Sequence, residues 1–371
     1  MTIDTITTLL APAPAAGHVQ AVRAQRAKAI TATQACEDLL LAPDLPGTGL
    51  TQAERVGVAQ AVAHASGVPA LAQHYAARAA GVAAPAASPR WLAVQHFTHL
   101  LATQPAAADR SALAALTQAG LPTADVVLLA QLIGFAAYQA RVVAGVTALA
   151  ALGTAAAPAA AIASAADAPF VHPAHLPAPG EPLRLHGYTS ETLGWSAWLP
   201  VVDPAQATPE QNAVLDASHP KARSSDFYLL LVHQPRVLAE RSEAFNAIMY
   251  APGGLPRAER EIATTVVSRI NGCVYCASVH AQRFEQLAKR NDVIAQIFTD
   301  PDTAGTNARE RAIAQASAAL TRAPGALAAA HLAQLRAAGL TDVEILDTVH
   351  AAALFAWANR LMLNLGEAVY P

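Results

Sequence analysis

Charged side chains are scarce in this sequence. Lysine, arginine, aspartate and glutamate make up 14% of the 371 residues and aromatic residues make up 5%, whereas charged residues alone are about 25% of an average globular protein. The net charge is −3, and no Lys/Arg cluster stands beside aromatic residues. The chain therefore lacks the basic surface that binds nucleic acid or an anionic membrane. We expect neither as a partner.

Cysteine is also rare, and the three cysteines in the chain are too few for a disulfide framework. Residues 1–16 have no basic region ahead of an apolar core, so we predict no secretory signal and a cytoplasmic protein. The most apolar stretch, residues 126–152, contains Gln131, Gln139 and Arg141. These polar residues favour a buried helix over a membrane span.

Apolar residues make up 53% of the chain, and much of that share is alanine. Alanine has the highest helix propensity and lets helices pack closely, although it buries little area per residue. The composition therefore predicts an all-α protein with broad helix–helix contacts. Because few charges are left to cover the surface, we also expect some helix faces to be buried between the subunits of a homo-oligomer.

A stretch rich in alanine and proline divides the sequence. Residues 154–182 contain few large apolar side chains and end in Pro-Ala-Pro-Gly-Glu-Pro. Proline lacks a main-chain donor and clashes with the preceding helical turn, so this composition does not sustain a long helix. We predict a linker here, with one helical domain over residues 1–153 and another over residues 183–371.

The two halves repeat one another in sequence. Leu50-Thr-Gln-Ala-Glu-Arg aligns with Leu255-Pro-Arg-Ala-Glu-Arg, and residues 131–141 align with residues 350–360. The alignment depends on the shared Glu-Arg pairs and on the arginines that end the second pair of stretches, because alanine matches are frequent in such a composition. We therefore expect two related helical domains that arose by duplication.

Features present in both halves are attributed to the fold, and features of one half are attributed to chemistry. Arg141 and Arg360 occur in both halves, so they are expected to form ion pairs between helices or subunits. Four polar or reactive residues occur in the second half only, and they form the predicted active site. Glu261, Cys273, Cys276 and His280 stand where the first half has Val56, Val68, Leu71 and Tyr75.

The spacing of these residues suits thiol chemistry. Cys273, Cys276 and His280 are three and then four residues apart, which places them on one face of a helix. Adjacent turns put the two cysteine Cα atoms about 5–6 Å apart, a separation that a disulfide tolerates. The first turn of a helix also favours thiolate over thiol. Glu261 on the preceding helix, folded back by a turn at Gly272, is expected to orient His280 as a proton carrier.

The second half contains Glu261, then eleven intervening residues, then Cys-Val-Tyr-Cys-Ala-Ser-Val-His from Cys273 to His280. This motif resembles the alkylhydroperoxidase D-like, carboxymuconolactone decarboxylase superfamily, and the context Asn-Gly-Cys-Val-Tyr-Cys is similar to its peroxidase-related branch. The resemblance covers residues 227–366, and the first half is similar to a degenerate member. One position departs from the pattern, because the best-known members have histidine where this chain has Tyr275.

The resemblance implies a thiol-dependent peroxidase. Cys276 would be the peroxidatic thiol, Cys273 the proton donor and resolving thiol, and Glu261 with His280 a proton relay. A hydroperoxide would oxidise Cys276 to a sulfenic acid, Cys273 would condense with it to a disulfide, and an external dithiol would restore both thiols. We expect no metal, haem, flavin or nicotinamide cofactor. The ring-like assemblies of the superfamily favour a trimer as the homo-oligomer.

Other interpretations of the motif remain open. A Cys-x-x-Cys pair also occurs in structural zinc sites, where His280 and Glu261 would have to complete the four ligands, and cysteines also occur as buried, inert residues. The superfamily further contains non-redox, lactone decarboxylase-like enzymes, which need an acid–base pair and no paired thiols. A redox sensor or an assembly scaffold would use the same disulfide without catalysis.

The remaining candidates receive structural assignments. Cys36 has no other cysteine near it in sequence and is expected to be a small core residue. His350 is assigned to structure, because Gln131 stands at the matching place. The first half is expected to be catalytically silent, since His74 is one residue out of register with His280 and a one-residue shift turns a helical side chain by about 100°. The alternative is that the remodelled pocket of the first half binds an apolar ligand.

Overall fold

The chain is helical through nearly all of the part that a computed structural model describes, which is residues 4–154 and 180–371. These residues form seventeen α-helices and two small antiparallel strand pairs, so the predicted all-α class is confirmed. The helices are α1 (Thr5–Leu10), α2 (Ala16–Ala24), α3 (Ala27–Leu40), α4 (Gln52–Ala65), α5 (Pro69–Ala79), α6 (Pro89–Thr103), α7 (Arg110–Gln118), α8 (Thr123–Leu152), α9 (Pro209–Ser218), α10 (Asp226–Leu231), α11 (Pro235–Met249), α12 (Arg257–Ile270), α13 (Val274–Ala288), α14 (Asp292–Thr299), α15 (Ala308–Arg322), α16 (Ala329–Ala337) and α17 (Asp342–Asn364). The strand pairs are β1 (Arg184–Leu185) with β2 (Tyr188–Thr189) and β3 (Gly194–Ala197) with β4 (Gly366–Val369).

The helix boundaries repeat along the chain. Helices α4 and α12 both have 14 residues and begin at residues 52 and 257, an offset of 205. Helices α6 and α15 both have 15 residues and begin at residues 89 and 308, an offset of 219. The same offset relates α7 and α16, which both have 9 residues and begin at residues 110 and 329. These matched lengths support the internal duplication that the sequence predicts.

The described chain divides into two compact units, and each is assembled from three stretches of sequence. The first unit comprises residues 1–30, 141–193 and 245–356, and the second comprises residues 31–140, 194–244 and 357–371. Each unit thus contains helical segments from both halves of the sequence, and the residues of α8 and α17 are each divided between the two units. The predicted domains are continuous, by contrast. The linker predicted at residues 154–182 lies almost wholly outside the described residues and stays a prediction.

In the first unit, α12 is buried on every side over its central part. It packs mainly against α13 and α15, and its residues from Arg260 to Ser268 are all buried. Polar side chains in such a helix need partners within the protein. Thr264 and Thr265 therefore donate their hydroxyls to the carbonyl oxygen of Glu261, at 3.0 and 2.7 Å. Helix α12 thereby holds Glu261 in a fully buried position.

The apolar stretch at residues 126–152 lies within α8. This is the one helix among the described residues that is long and apolar enough to cross a membrane, and its most apolar window is entirely buried in the protein. The core helix of a globular protein passes the same test of length and composition. The predicted buried helix is confirmed.

The arginines of the two Glu-Arg pairs have the same structural role. Arg55 is buried and donates to the main-chain oxygens of Leu40, Ala42 and Leu50, at 2.6–3.1 Å. Arg260 is likewise buried and donates to the carbonyl oxygens of Met249, the last residue of α11, and of Ala251 and Gly253 just beyond it. The last carbonyl groups of a helix have no partner within the helix. A guanidinium with five donors satisfies several of them at once.

Arg141 and Arg360 are both buried, and the bonds shown for them differ from the predicted ion pairs. Arg141 donates to the carbonyl oxygen of Thr321 at 2.8 Å. Arg360 donates to those of Leu101 and Ala102, both at 2.9 Å. These carbonyls belong to the last turns of α15 and α6 and need external donors. Both arginines therefore cap helix ends, and the ion pairs expected for them stay a prediction.

Candidate active site

A tight turn joins α12 to α13. Helix α12 ends with Asn271 as its C-cap, and Gly272 has a φ of +79°, in the left-handed region that glycine adopts without steric cost. The N–H group of Cys273 then donates to the carbonyl oxygen of Ser268 at 2.9 Å, and Cys273 is the N-cap residue of α13. The predicted helix–turn–helix is confirmed. Because α13 folds back along α12, residues far apart in sequence become neighbours.

The turn brings Glu261 and His280 into direct contact. Nδ1 of His280 is hydrogen-bonded to Oε2 of Glu261, nineteen residues away in sequence. Glu261 is fully buried and His280 is 7% exposed. A carboxylate only accepts hydrogen bonds, so Nδ1 of His280 is the donor in this contact. The expected orientation of His280 by a carboxylate is present, and it leaves Nε2 as the nitrogen that can take a proton.

A third residue, Arg257, completes the surroundings of Glu261. Its Nε donates to Oε1 of Glu261 at 2.5 Å, from one turn earlier on α12. Burial acts to raise the pKa of Glu261, but the charges of Arg257 and His280 outweigh it and hold that pKa at about 2. Sequence reasoning missed Arg257. The signal was its spacing of four residues from Glu261 on the same helix, the spacing of a helical ion pair.

The two cysteines lie at the start of α13, as the spacing predicts. Cys273 is the N-cap residue and Cys276 lies in the first turn, and both are buried, with exposed fractions of 2% and 5%. Both are free thiols, as is Cys36. Cys276 is one helical turn before His280, so the two side chains project from the same face of α13. The arrangement places a thiol at a helix N-terminus beside a histidine that is tied to a carboxylate.

Aromatic side chains surround the other sides of this group. The ring of Phe355, from α17, meets the ring of His280 edge to face, with centroids 4.3 Å apart. Phe245 lies 6.3 Å from Phe355 and 5.9 Å from Tyr250, again between ring centroids. The guanidinium of Arg257 lies 4.2 Å from the centre of the Tyr250 ring. A closed series of contacts therefore links His280, Glu261, Arg257, Tyr250, Phe245 and Phe355.

The four positions of the first half that align with the predicted site residues are buried, and one of them forms a side-chain hydrogen bond. Val56, Val68, Leu71 and Tyr75 are all buried, as expected for a filled pocket. The hydroxyl of Tyr75 donates to Oε1 of Gln139, which sequence reasoning did not foresee. Burial raises the pKa of Tyr75 well above its usual value, so the phenol remains neutral.

A buried carboxylate from α3 stands behind Tyr75. Glu37 is fully buried and accepts from Nε2 of Gln139 at 2.6 Å and from Arg78 at 2.8 Å. Its Oε1 is also 3.1 Å from Nε2 of His74. His74 thus pairs with a carboxylate of its own and, as predicted, does not occupy the position of His280. No sequence signal pointed to Glu37, since its helix precedes the aligned stretches.

The remaining candidate residues lie outside the site. Cys36 is buried, and burial raises the pKa of its thiol, as expected for a core cysteine. His350 is buried on α17, where burial lowers the pKa of its imidazole to about 4 and its charged neighbours are Asp347 and arginines. Within residues 4–154 and 180–371, no group of three or more histidine, cysteine, aspartate or glutamate side chains is arranged to hold a metal ion.

A comparison with known protein families points to the same segment. A family model described as "Carboxymuconolactone decarboxylase family" matches residues 235–319, which include all four predicted site residues. A solved structure of an alkylhydroperoxidase AhpD core, an uncharacterized peroxidase-related protein from Ralstonia eutropha JMP134, is 25% identical, with a TM-score of 0.39, over 43% of this chain and 85% of its own. An uncharacterized peroxidase-related protein from Silicibacter sp. TM1040 is 22% identical, with a TM-score of 0.38, over 43% of this chain and 88% of its own. No curated protein matches the chain.

Proposed function

We propose that this chain, whose residues 235–319 belong to the carboxymuconolactone decarboxylase family, is a thiol-dependent peroxidase that reduces hydroperoxides at Cys276. One observation carries the proposal. A buried cysteine in the first turn of α13 lies one helical turn from His280, whose Nδ1 is bonded to the buried carboxylate of Glu261. Thiol, base and carboxylate are the three parts that activate a sulfur nucleophile.

The first step transfers an oxygen atom to Cys276. Nε2 of His280 takes the thiol proton, and the resulting thiolate attacks the terminal peroxide oxygen. The O–O bond breaks as the S–O bond forms, which gives a sulfenic acid on Cys276 and an alkoxide. His280 returns the proton to the alkoxide, so the products are the sulfenic acid and an alcohol. Sulfur is oxidised by two electrons and the peroxide is reduced by two.

The second step forms a disulfide between the two cysteines. The thiol of Cys273 attacks the sulfur of the Cys276 sulfenic acid and releases water. An external dithiol then exchanges with the disulfide, restoring both cysteines and leaving as its own disulfide. Cys273 and Cys276 are separated by one helical turn, a separation that lets the bond form with little movement of α13.

The state of Glu261 suits this cycle. With a pKa of about 2, its carboxylate remains ionised throughout the neutral range. The ionised form accepts from Nδ1 of His280, fixes the ring, and stabilises the positive charge that the ring gains when Nε2 takes a proton. His280 is thereby equipped to act first as a base and then as an acid.

Trapping of sulfenic acid tests the assignment. Peroxide-treated Cys273→Ser protein is expected to give a trapped sulfenic acid on Cys276, because the resolving thiol is gone. Cys276→Ser protein is expected to give none on Cys273. Stronger trapping on Cys273 than on Cys276 reverses the two roles, and trapping on neither contradicts the peroxidase proposal.

A second candidate is a non-redox, carboxymuconolactone decarboxylase-like enzyme. The bonded pair of Glu261 and His280 favours it, since a carboxylate–imidazole pair is acid–base machinery that needs no thiol. The double variant Cys273→Ser/Cys276→Ser distinguishes the two. A non-redox activity on a lactone or an acid substrate survives this change, whereas peroxide reduction does not.

A further inference from the structure

A series of polar contacts leads from His280 towards the rim of the first unit. His280 is bonded to Glu261, Glu261 to Arg257, and the guanidinium of Arg257 lies against the ring of Tyr250. Exposure rises from Glu261 outward: the Glu261 side chain is fully buried, that of Arg257 is 17% exposed, and Tyr250 is half-buried. The mechanism above uses His280 and Glu261 but gives no task to the outer two residues.

The two oxygens of Glu261 have different partners. Oε2 accepts from His280, and Oε1 accepts from Arg257 at 2.5 Å. A buried carboxylate is costly unless it is paired, and without a cation it gains a proton as pH falls. A protonated Glu261 would donate to Nδ1 of His280. The ring proton would then sit on Nε2, the nitrogen that has to accept the thiol proton. The charge state of Glu261 therefore decides which ring nitrogen is the base.

The internal repeat provides an independent indication. Arg257 stands where the first half has Gln52, so this arginine occurs only in the half that contains Glu261. Arg283, by contrast, stands where the first half has Arg78, and it belongs to both halves. The pairing of Arg257 with Glu261 is a feature of the half with the thiols, whereas Arg283 is a feature of the fold.

We propose that Arg257 is a positioning residue: it holds Glu261 ionised and so keeps the ring proton of His280 on Nδ1, while Tyr250 holds Arg257 in place through its ring and a side-chain hydrogen bond. This inference rests on the proposed function in one respect, the use of Nε2 of His280 as the base for Cys276. The claim that Arg257 controls the position of the His280 ring proton is separate, because the tautomer of His280 can be measured without any peroxide.

The other charged groups around α12 have partners elsewhere or act more weakly on Glu261. On α13, burial lowers the pKa of Arg283, and the Glu261 charge acts in the opposite direction. On α15, Arg309 is bonded to Glu259. On α17, Asp347 is bonded to Arg260, and the pKa of His350 is lowered by burial. On α14, Asp292 is bonded to Arg290. Arg257 is the cation that bonds the Glu261 carboxylate directly.

The test uses the full chain with Cys36→Ser and Cys273→Ser, so that Cys276 is the thiol that iodoacetamide labels. Arg257→Gln is expected to slow alkylation at pH 7 by about 10- to 100-fold, the effect of losing a charge-assisted hydrogen bond. The acid limb of the rate against pH is expected to move up by about one unit or more. Arg257→Lys should recover most of the rate. Tyr250→Phe keeps the ring but removes the hydroxyl that bonds Arg257, so it should lower the rate by less than Arg257→Gln does. The matched control Arg283→Gln should stay within about twofold.

The second readout is the imidazole ¹⁵N spectrum, with His280→Asn identifying the His280 signals. Wild-type protein at pH 7 is expected to carry the ring proton on Nδ1, and Arg257→Gln is expected to shift it towards Nε2 at the same pH. An unchanged pH profile and tautomer in Arg257→Gln overturns the proposal. If that variant does not fold, the wild-type spectrum decides, since a proton on Nε2 contradicts the proposal by itself. Failure of the peroxidase function with the expected tautomer intact leaves the positioning role standing, so the two outcomes are distinguishable.

Discussion

The helical hairpin α4–α5 and the helical hairpin α12–α13 share their main structural features but differ in the side chains that lie between their helices. Both have a first helix of 14 residues, a buried arginine that caps a preceding helix, and a glycine with positive φ at the turn, Gly67 or Gly272. The reactive residues of the second hairpin stand at four positions that are apolar or aromatic in the first. The comparison indicates that both hairpins require the buried arginine and the turn glycine. The space between the two helices can hold either apolar side chains or reactive ones.

Both halves nevertheless bury a carboxylate beside a histidine. In the second half Glu261 comes from the hairpin itself and is bonded to His280. In the first half Glu37 comes from α3, and its cluster ends at the neutral phenol of Tyr75 rather than at a thiol. A buried carboxylate with a histidine is therefore not sufficient evidence of catalysis in this protein. What the second half has and the first half lacks is the cysteine pair at the start of α13.

The largest expected effect is a difference in peroxidase activity between variants of the two buried carboxylates, Glu261 and Glu37. Glu261→Gln removes the charge that orients His280, and we expect peroxide reduction at pH 7 to fall by about 10²- to 10³-fold, because a general base that is wrongly oriented no longer takes the thiol proton. Glu37→Gln is the matched control and is expected to keep the rate within about twofold. Equal losses in the two variants, measured as second-order rate constants with peroxide, contradict the assignment of the chemistry to one half.

The next effect concerns the contribution of Glu37 to the free energy of unfolding. Glu37 is fully buried and bonded to Arg78, Gln139 and His74. Removing one member of a buried charged network leaves the others without a partner, so Glu37→Gln should lower the free energy of unfolding by about 3 kcal/mol. Urea unfolding measures this change. A loss below about 0.5 kcal/mol, the size of an ordinary surface substitution, would show that the cluster is not structural.

His350 and Gln131 stand at matching positions of the two halves, and only the histidine can make the free energy of unfolding depend on pH. Burial lowers the folded-state pKa of His350 to about 4, below the usual value of about 6.5. Between these values the unfolded chain binds a proton that the folded chain does not, so stability falls as pH decreases from about 6.5 to about 4. His350→Gln, which copies the first half, should remove up to about 3 kcal/mol of this decline. Unfolding at pH 7.5 and 4.5 tests it, and an equal decline in both proteins contradicts the burial account.

The smallest expected effect concerns the starts of the two equivalent helices. Thr51 and Glu54 form a complete capping box at α4, whereas the N-cap of α12 is Pro256, which makes no side-chain cap. Thr51→Ala should cost about 1 kcal/mol of unfolding free energy. Pro256→Ala removes no capping side chain, so its unfolding free energy should change by less than that of Thr51→Ala. A larger loss at residue 256 would mean that the fixed proline backbone, rather than capping, defines the start of α12.

The sequence was sufficient to predict the parts of the site that are local. Helix spacing placed Cys273, Cys276 and His280 on one face, and the glycine turn predicted that Glu261 would meet His280. Arg257 was within reach of the same reasoning, since it lies four residues before Glu261 on one helix. The repeat then distinguished residues that both halves share from the four that we propose for the chemistry.

The features that were missed depend on packing between segments distant in sequence. Glu37 meets Gln139 across 102 residues, and no periodic pattern links those positions. The partners of Arg141 were missed for a related reason: a buried guanidinium can be satisfied by carboxylates or by helix-end carbonyls, and only the fold decides which are near. The division of α8 and α17 between the two compact units likewise follows from packing rather than from local sequence.

The central claim is that Cys276 is the one cysteine whose thiol starts peroxide reduction. The most direct measurement is peroxide consumption with a dithiol reductant by wild type, Cys276→Ser and Cys36→Ser. The lone buried Cys36 is the control, because burial raises the pKa of its thiol and keeps it protonated. The account predicts that Cys276→Ser abolishes consumption and that Cys36→Ser retains the wild-type rate. Consumption that survives in Cys276→Ser, or that is lost in Cys36→Ser, contradicts it.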